Sequence, residues 1–207
     1  MKENNKQILV VDFYDSFTYN IVSECKRLLK RYHLKVDIQV CAWDNKGFFS
    51  THNARDYQAM IWGPGPGMVS EYESLDPIID KCLRDPNLFN LGICLGHQII
   101  LKKLGHNLIR AQRPIHGENV SISLPAWSIF PSELHGKVMH VQLYNSWVIE
   151  RNIQVKDLEY LYYQDGVMSV SGLNLLTYQF HPESIGTSFP EIFFLPLINK
   201  LCNNGSI

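Results

Sequence analysis

Three short apolar runs constrain this 207-residue chain more than any other feature. Gln7-Ile-Leu-Val-Val-Asp-Phe13, Gln58 to Trp62 and Leu88 to Cys94 are nearly continuous in hydrophobic character. A strand that is apolar on both sides of its pleat must be covered on both faces, as in a parallel sheet between two helical layers. Between these runs the apolar spacing changes to three and four residues. Phe17, Ile21, Val22, Cys25, Leu28 and Leu29 make one helical stripe, with Asp15 or Ser16 available as its cap. Glu71 to Leu83 carries a second helical pattern, and Leu95, Ile99, Ile100 and Leu104 a third. With Val36 to Trp43 as a further strand, the order β-α-β-β-α-β-α predicts an α/β fold: a mostly parallel, flavodoxin-like open sheet with helices on both faces.

The second half is less regular. Asn119 to Leu124, Lys137 to Tyr144 and Leu173 to Phe180 read as strands, Phe189 to Leu201 as a closing helix, and Pro125 to Glu133 as a loop or hairpin tip. No repeat, low-complexity tract or linker interrupts the chain, so residues 1–207 are expected to form one domain.

Charge narrows the partners. Nineteen Lys and Arg against twenty Asp and Glu leave a net charge of -1, and charged residues are 19% of the chain. That excludes a protein whose affinity comes from neutralising nucleic-acid phosphates, and no polybasic patch offers a membrane anchor. No apolar stretch approaches the length of a membrane span, and the polar start, Met1 to Gln7, lacks a secretory core. The five cysteines, Cys25, Cys41, Cys82, Cys94 and Cys202, form no CxxC pair. Reduced thiols in the cytoplasm are the expectation.

One cysteine differs from the rest. Gly92-Ile-Cys-Leu-Gly96 stands where an apolar run gives way to a helical pattern. This is the cysteine form of the nucleophile elbow, in which small flanking residues permit a sharp strained turn. The turn sets Cys94 at a helix N-terminus, where backbone N–H groups and the dipole favour a thiolate. A buried structural cysteine beside two incidental glycines is the plain alternative. A cysteine nucleophile needs a base and a group to orient it. His181-Pro-Glu183 supplies both, because residues two apart in an extended chain point to the same side. His97 and His116 have no companions at zinc-site spacing, so no metal site is expected. Gly63-Pro-Gly-Pro-Gly67 ends a strand in the same half of the chain and can aim a backbone N–H at a developing oxyanion, with the Leu95 N–H as second donor.

Asp12-Phe-Tyr-Asp-Ser-Phe-Thr-Tyr-Asn20, Gly63-Pro-Gly-Pro-Gly67, Gly92-Ile-Cys-Leu-Gly-His-Gln98, His116-Gly117 and His181-Pro-Glu-Ser184 occur in that order. Together they resemble the class I glutamine amidotransferases, most closely the glutaminase components of anthranilate synthase and 4-amino-4-deoxychorismate synthase. The resemblance implies that Cys94 is the nucleophile, His181 the acid and base, and Glu183 its orienting partner. It also implies that Gly67 and Leu95 bind the oxyanion, and that Gly65, Pro66, Gln98, Ser146 and the backbone of Trp147 hold the glutamine. L-Glutamine is then the substrate, hydrolysed through a thioester, and the ammonia passes to a separate chorismate-binding synthase subunit. No cofactor is implied in this chain, since Mg²⁺ and chorismate would belong to that partner. A γ-glutamyl peptidase-like cysteine hydrolase and a non-catalytic regulatory relative are the rival readings. The chain departs from the family at four places: Asn145 stands for the usual His and Leu143 for Arg. Val69 replaces a Pro, and the segment after His116 lacks the His-Asp-Gly pattern.

Overall fold

The computed structural model describes residues 6–51 and 54–203; the N-terminal residues 1–5 of the polar start lie outside them. The first half forms β1 (Lys6–Asp12), α1 (Thr18–Arg31), β2 (Val36–Ala42), α2 (Lys46–Thr51), β3 (Ala59–Trp62), α3 (Asp76–Arg84), β4 (Phe89–Ile93) and α4 (Leu95–Lys103). There follow β5 (Leu108–Arg110), β6 (Glu118–Ser123), β7 (Val138–Leu143), β8 (Trp147–Glu150), β9 (Glu159–Tyr163), β10 (Gly166–Gly172), β11 (Leu175–Tyr178) and α5 (Pro190–Asn203).

The main sheet runs β2-β1-β3-β4-β11-β10-β8-β5, with β9 also paired to β10. From β2 to β11 every pairing is parallel, which is the 2-1-3-4-5 order of flavodoxin-like sheets. The remaining strands β10, β8, β5 and β9 add an antiparallel wing, and β6 and β7 form a separate hairpin. Pro125 to Glu133 belongs to the tip of that hairpin, where Trp127 and Phe130 turn inward and stack.

Alternation along β1 divides the core in two. Ile8 and Val10 pack with α1 and α5 on one face, whereas Leu9 and Val11 pack with α3 and α4 on the other. This double covering is why the run contains so few polar residues. α1 opens later than a cap at Asp15 or Ser16 implies: its N-cap is Phe17. Asp15 acts before the helix, where its Oδ1 accepts from the Phe17 N–H at 2.8 Å. The pattern over Glu71 to Leu83 is split into a 3₁₀ turn, Val69–Leu75, and α3. Pro77 near the start of α3 explains the break, since it suits a first turn and cannot continue a preceding one.

Registers between neighbouring strands align the carboxyl ends of β3, β4 and β11, pairing Trp62 with Gly92 and Ile93 with Tyr178. Open α/β sheets bind ligands beyond such ends. Gly63–Gly67, Cys94 and Gln179–Glu183 all leave the sheet at this edge.

Candidate active site

Cys94 sits between β4 and α4 with φ 50° and ψ -100°. A non-glycine residue at positive φ is costly and persists only where its surroundings fix it. Here its N–H donates to Tyr178 O at 2.8 Å and its carbonyl accepts from Gln98 N–H at 3.1 Å, tying the turn to β11 and to α4. Gly96 permits the elbow, because a Cβ there would overlap the Trp62 carbonyl, whose carbon would lie 2.6 Å away. Its N–H instead bonds Gly63 O at 3.1 Å. Leu95 is the first residue of α4, so its N–H has no acceptor within the helix.

The glycine-rich turn is braced from beneath. Tyr72 donates its hydroxyl to Pro66 O at 2.7 Å, and Glu71 Oε1 accepts from Met68 N–H at 2.6 Å. Gly67 has φ +77°, and a Cβ there would stand 2.5 Å from the same carboxylate. Gly65 packs against Phe13 and Leu95, which seats the turn beside the start of α4.

On the other side, His181 Nδ1 lies 2.8 Å from Glu183 Oε1, with side chains 3% and 0% exposed. Burial works against the charged imidazole, but the Cys94 sulfur and the Glu183 carboxylate outweigh it and hold His181 well above its usual 6.5. Nε2 makes no hydrogen bond of normal geometry, but the Cys94 sulfur is close enough to raise it both coulombically and as a hydrogen-bond acceptor. Phe17 and Tyr144 flank the ring, with centroids 5.1 and 5.0 Å from that of His181. Aromatic rings around an imidazole favour its cation. The Asp12–Asn20 stretch therefore reaches the site through Phe17.

Gln98 is buried and uses both amide protons, donating to Trp147 O at 2.9 Å and to Gln179 Oε1 at 3.0 Å. Asn145 also donates to Trp147 O, at 3.1 Å. Ser146 Oγ is 3.2 Å from His116 Nε2. Residues Ala111 to Gly117 run alongside Leu143 to Ser146 by backbone bonds, which brings the His116-Gly117 turn to the site. Gln142 closes the arrangement. Its Nε2 donates to Gly117 O, and its Oε1 accepts from Gly186 N–H and the Ser184 hydroxyl. His97, by contrast, is a buried residue of α4 itself, bonded to Thr177 and kept neutral by burial at about 3.

The structure thus gathers Cys94, His181, Glu183, Gly65, Pro66, Gly67, Leu95, Gln98, Ser146 and Trp147 around one edge of the sheet. It adds Gln179, Phe17 and Tyr144, which sequence reasoning did not single out. Gln179 had a signal, since the two-residue period that links His181 to Glu183 extends back to it. Three buried polar atoms at this site have no partner: His181 Nε2, Glu183 Oε2 and Asn145 Oδ1. Among the described residues, no group of three or more His, Cys, Asp or Glu is arranged to hold a metal. No helix among them is long and apolar enough to cross a membrane.

The model of the family described as glutamine amidotransferase class-I matches residues 9–200. Among curated relatives, anthranilate synthase component 2 of Lactococcus lactis is 31% identical over 202 residues, spanning 95% of this chain and 96% of the relative. A provisionally named aminodeoxychorismate synthase of Schizosaccharomyces pombe is 30% identical over 191 residues, 89% of this chain and 25% of that longer protein. Among solved structures, a Thermoplasma acidophilum protein provisionally described as one subunit of a GMP synthase matches with a TM-score of 0.75 at 20% identity. That match covers 97% of this chain and 96% of the other, a likeness of fold.

Proposed function

The chain belongs to the class I glutamine amidotransferases, and from that premise we propose that it is the glutaminase subunit of a chorismate-aminating synthase. One domain, residues 1–207, hydrolyses L-glutamine in the cytoplasm and hands ammonia to a separate chorismate-binding subunit. Chorismate and Mg²⁺ belong to that partner, and no cofactor takes part in this chain.

In this mechanism the Cys94 thiolate attacks the side-chain amide carbon of glutamine. The carbonyl oxygen becomes an oxyanion held by the N–H groups of Gly67 and Leu95. His181, charged through Nε2, gives its proton to the departing nitrogen as the C–N bond breaks, leaving a γ-glutamyl thioester and ammonia. The neutral imidazole then takes a proton from water, which attacks the thioester; the C–S bond breaks and glutamate leaves. Glu183 holds His181 in the tautomer with Nδ1 protonated and stabilises the cation between steps. Gln98 has only Oε1 left as an acceptor and meets the substrate ammonium, while Gly65, Pro66, Ser146 and the Trp147 backbone hold the rest of the amino-acid end.

The observation that carries this reading is the strained Cys94 elbow beside a buried, positively biased His181–Glu183 pair. The chorismate branch is supported by the names of the two curated relatives. The test is Cys94→Ser in the reconstituted complex with the synthase. Glutamine-dependent product formation from chorismate is lost, and amination with added ammonia continues. Retention of the glutamine-dependent activity refutes the assignment, whereas loss of both activities means that the substitution damages the complex.

A further inference from the structure

Gln179 is 2% exposed and lies one residue beyond β11, between Tyr178 and Phe180. Those two neighbours turn the other way, packing on Phe193 of α5. Its backbone is anchored by an N–H bond to Met168 O at 2.8 Å. Its side chain points to the same side as His181 and donates from Nε2 to the Cys94 sulfur at 3.7 Å.

The direction of that amide is dictated from a distance. The Trp147 carbonyl can only accept, so the Gln98 atom facing it must be Nε2. The second proton on the same nitrogen points at Gln179, which must present Oε1. The Gln179 Nε2 is then the atom left to face the sulfur. One backbone carbonyl thereby fixes the polarity of the whole chain, from Trp147 through Gln98 and Gln179 to Cys94. Asn145 donates to the same carbonyl.

We propose that Gln179 is a positioning residue that donates to the Cys94 thiolate and couples it to the glutamine-binding amide of Gln98. A donor to a sulfur anion makes a charge-assisted hydrogen bond, stronger than one to the neutral thiol. The sulfur thus faces two groups that favour its anion over the neutral thiol, the His181 imidazole and the Gln179 amide. Among the described residues, the further titratable groups beside this centre are Glu183, behind the imidazole, and Tyr144, against its ring. Displacement of Gln98, as when a ligand occupies its Oε1, is transmitted to the nucleophile through one shared hydrogen bond.

This inference rests on the proposed glutaminase reaction for its purpose, but its test reads the sulfur directly. The full chain and the variants Gln179→Met and Gln98→Met are alkylated with iodoacetamide across a pH series, and the Cys94 peptide is quantified by mass. Gln179→Met preserves volume and removes the donor. Its alkylation near pH 6 is expected to fall about tenfold with the alkaline plateau unchanged, an upward shift of about one pH unit. Gln98→Met, which frees Gln179 to rotate, shifts the profile in the same direction by less. The double variant is no slower than Gln179→Met, because the two residues act as one unit. An unshifted profile in a folded variant overturns the proposal, as do additive effects. If Gln179→Met does not fold, the Gln98→Met profile decides alone. Failure of the unmodified chain and its synthase to hydrolyse glutamine would overturn the reaction and leave this coupling standing.

Discussion

Replacing Glu183 by Gln in a Cys94→Ser chain tests the charge state of the site. The carboxylate is completely buried and lies 2.8 Å from His181 Nδ1. Burial opposes the imidazolium, and the neighbouring Cys94 sulfur and Glu183 carboxylate prevail over it. With serine at position 94, Glu183 acts without the sulfur. A histidine whose folded value is raised above its unfolded one adds stability that is fully present below the unfolded value, near 6.5. That stability is lost as pH climbs through the folded value. Glu183→Gln keeps the shape and removes the charge. Removing one member of a buried ion pair costs about 3–5 kcal/mol, whereas a neutral hydrogen bond is worth about 1 kcal/mol. Urea denaturation should therefore show the variant destabilised by about 3 kcal/mol near pH 6, with the gap closing toward about 1 kcal/mol in alkaline buffer. A gap of constant size from about pH 6 to pH 9 would mean that Glu183 alone does not hold the imidazolium against burial once the sulfur is gone, and would falsify the reasoning.

Three further outcomes are expected. A chloroketone analogue of glutamine should label Cys94 alone among the four buried cysteines: burial pushes Cys25 and Cys82 up to about 12 and, with Asp44, Cys41 up to about 11. Peptide mapping that finds the label on any of those three refutes the elbow. Gly67→Ala forces alanine to φ +77° against the Glu71 carboxylate and should slow glutamate release by about 10²- to 10³-fold, the usual cost of losing one oxyanion donor. Unchanged release would remove Gly67 from the oxyanion role. Finally, the isolated chain should hydrolyse glutamine slowly and accelerate at least about tenfold with its synthase and chorismate, since about 1.4 kcal/mol of differential binding suffices. Equal rates with and without the partner would end the gating idea.

The parallel half of the sheet was legible because β1, β3 and β4 are buried on both faces and so contain few polar residues. The antiparallel wing was not. β10, Gly166–Gly172, buries Ser169 and Ser171 and opens and closes on glycine, so its sequence lacks the apolar signature of its environment. β5 has three residues and β8 four, too few for alternation to stand out. In the site, Cys94, His181 and Glu183 were readable from local spacing, since a turn and a two-residue period are properties of adjacent residues. The contacts of Phe17 and Tyr144 with His181 join three separate segments, and no local rule contains them. Gln179 fell between these cases. Its period was visible, but the strand signal around it drew the reading toward packing.

The sheet order has a kinetic consequence. β11 is contributed near the end of the chain, yet it lies between β4 and β10 in the interior of the sheet. Inserting a central strand late in the sequence demands long-range loop closure, which slows the rate at which native contacts assemble. The Cys94 turn is pinned by the Tyr178 carbonyl on that strand, and His181 and Glu183 follow it directly. A chain still emerging from the ribosome, or one cleaved before Leu175, carries the cysteine without the strand that completes its surroundings. Under the proposed mechanism, activity therefore waits on completion of the sheet, because unfinished copies lack His181 and Glu183.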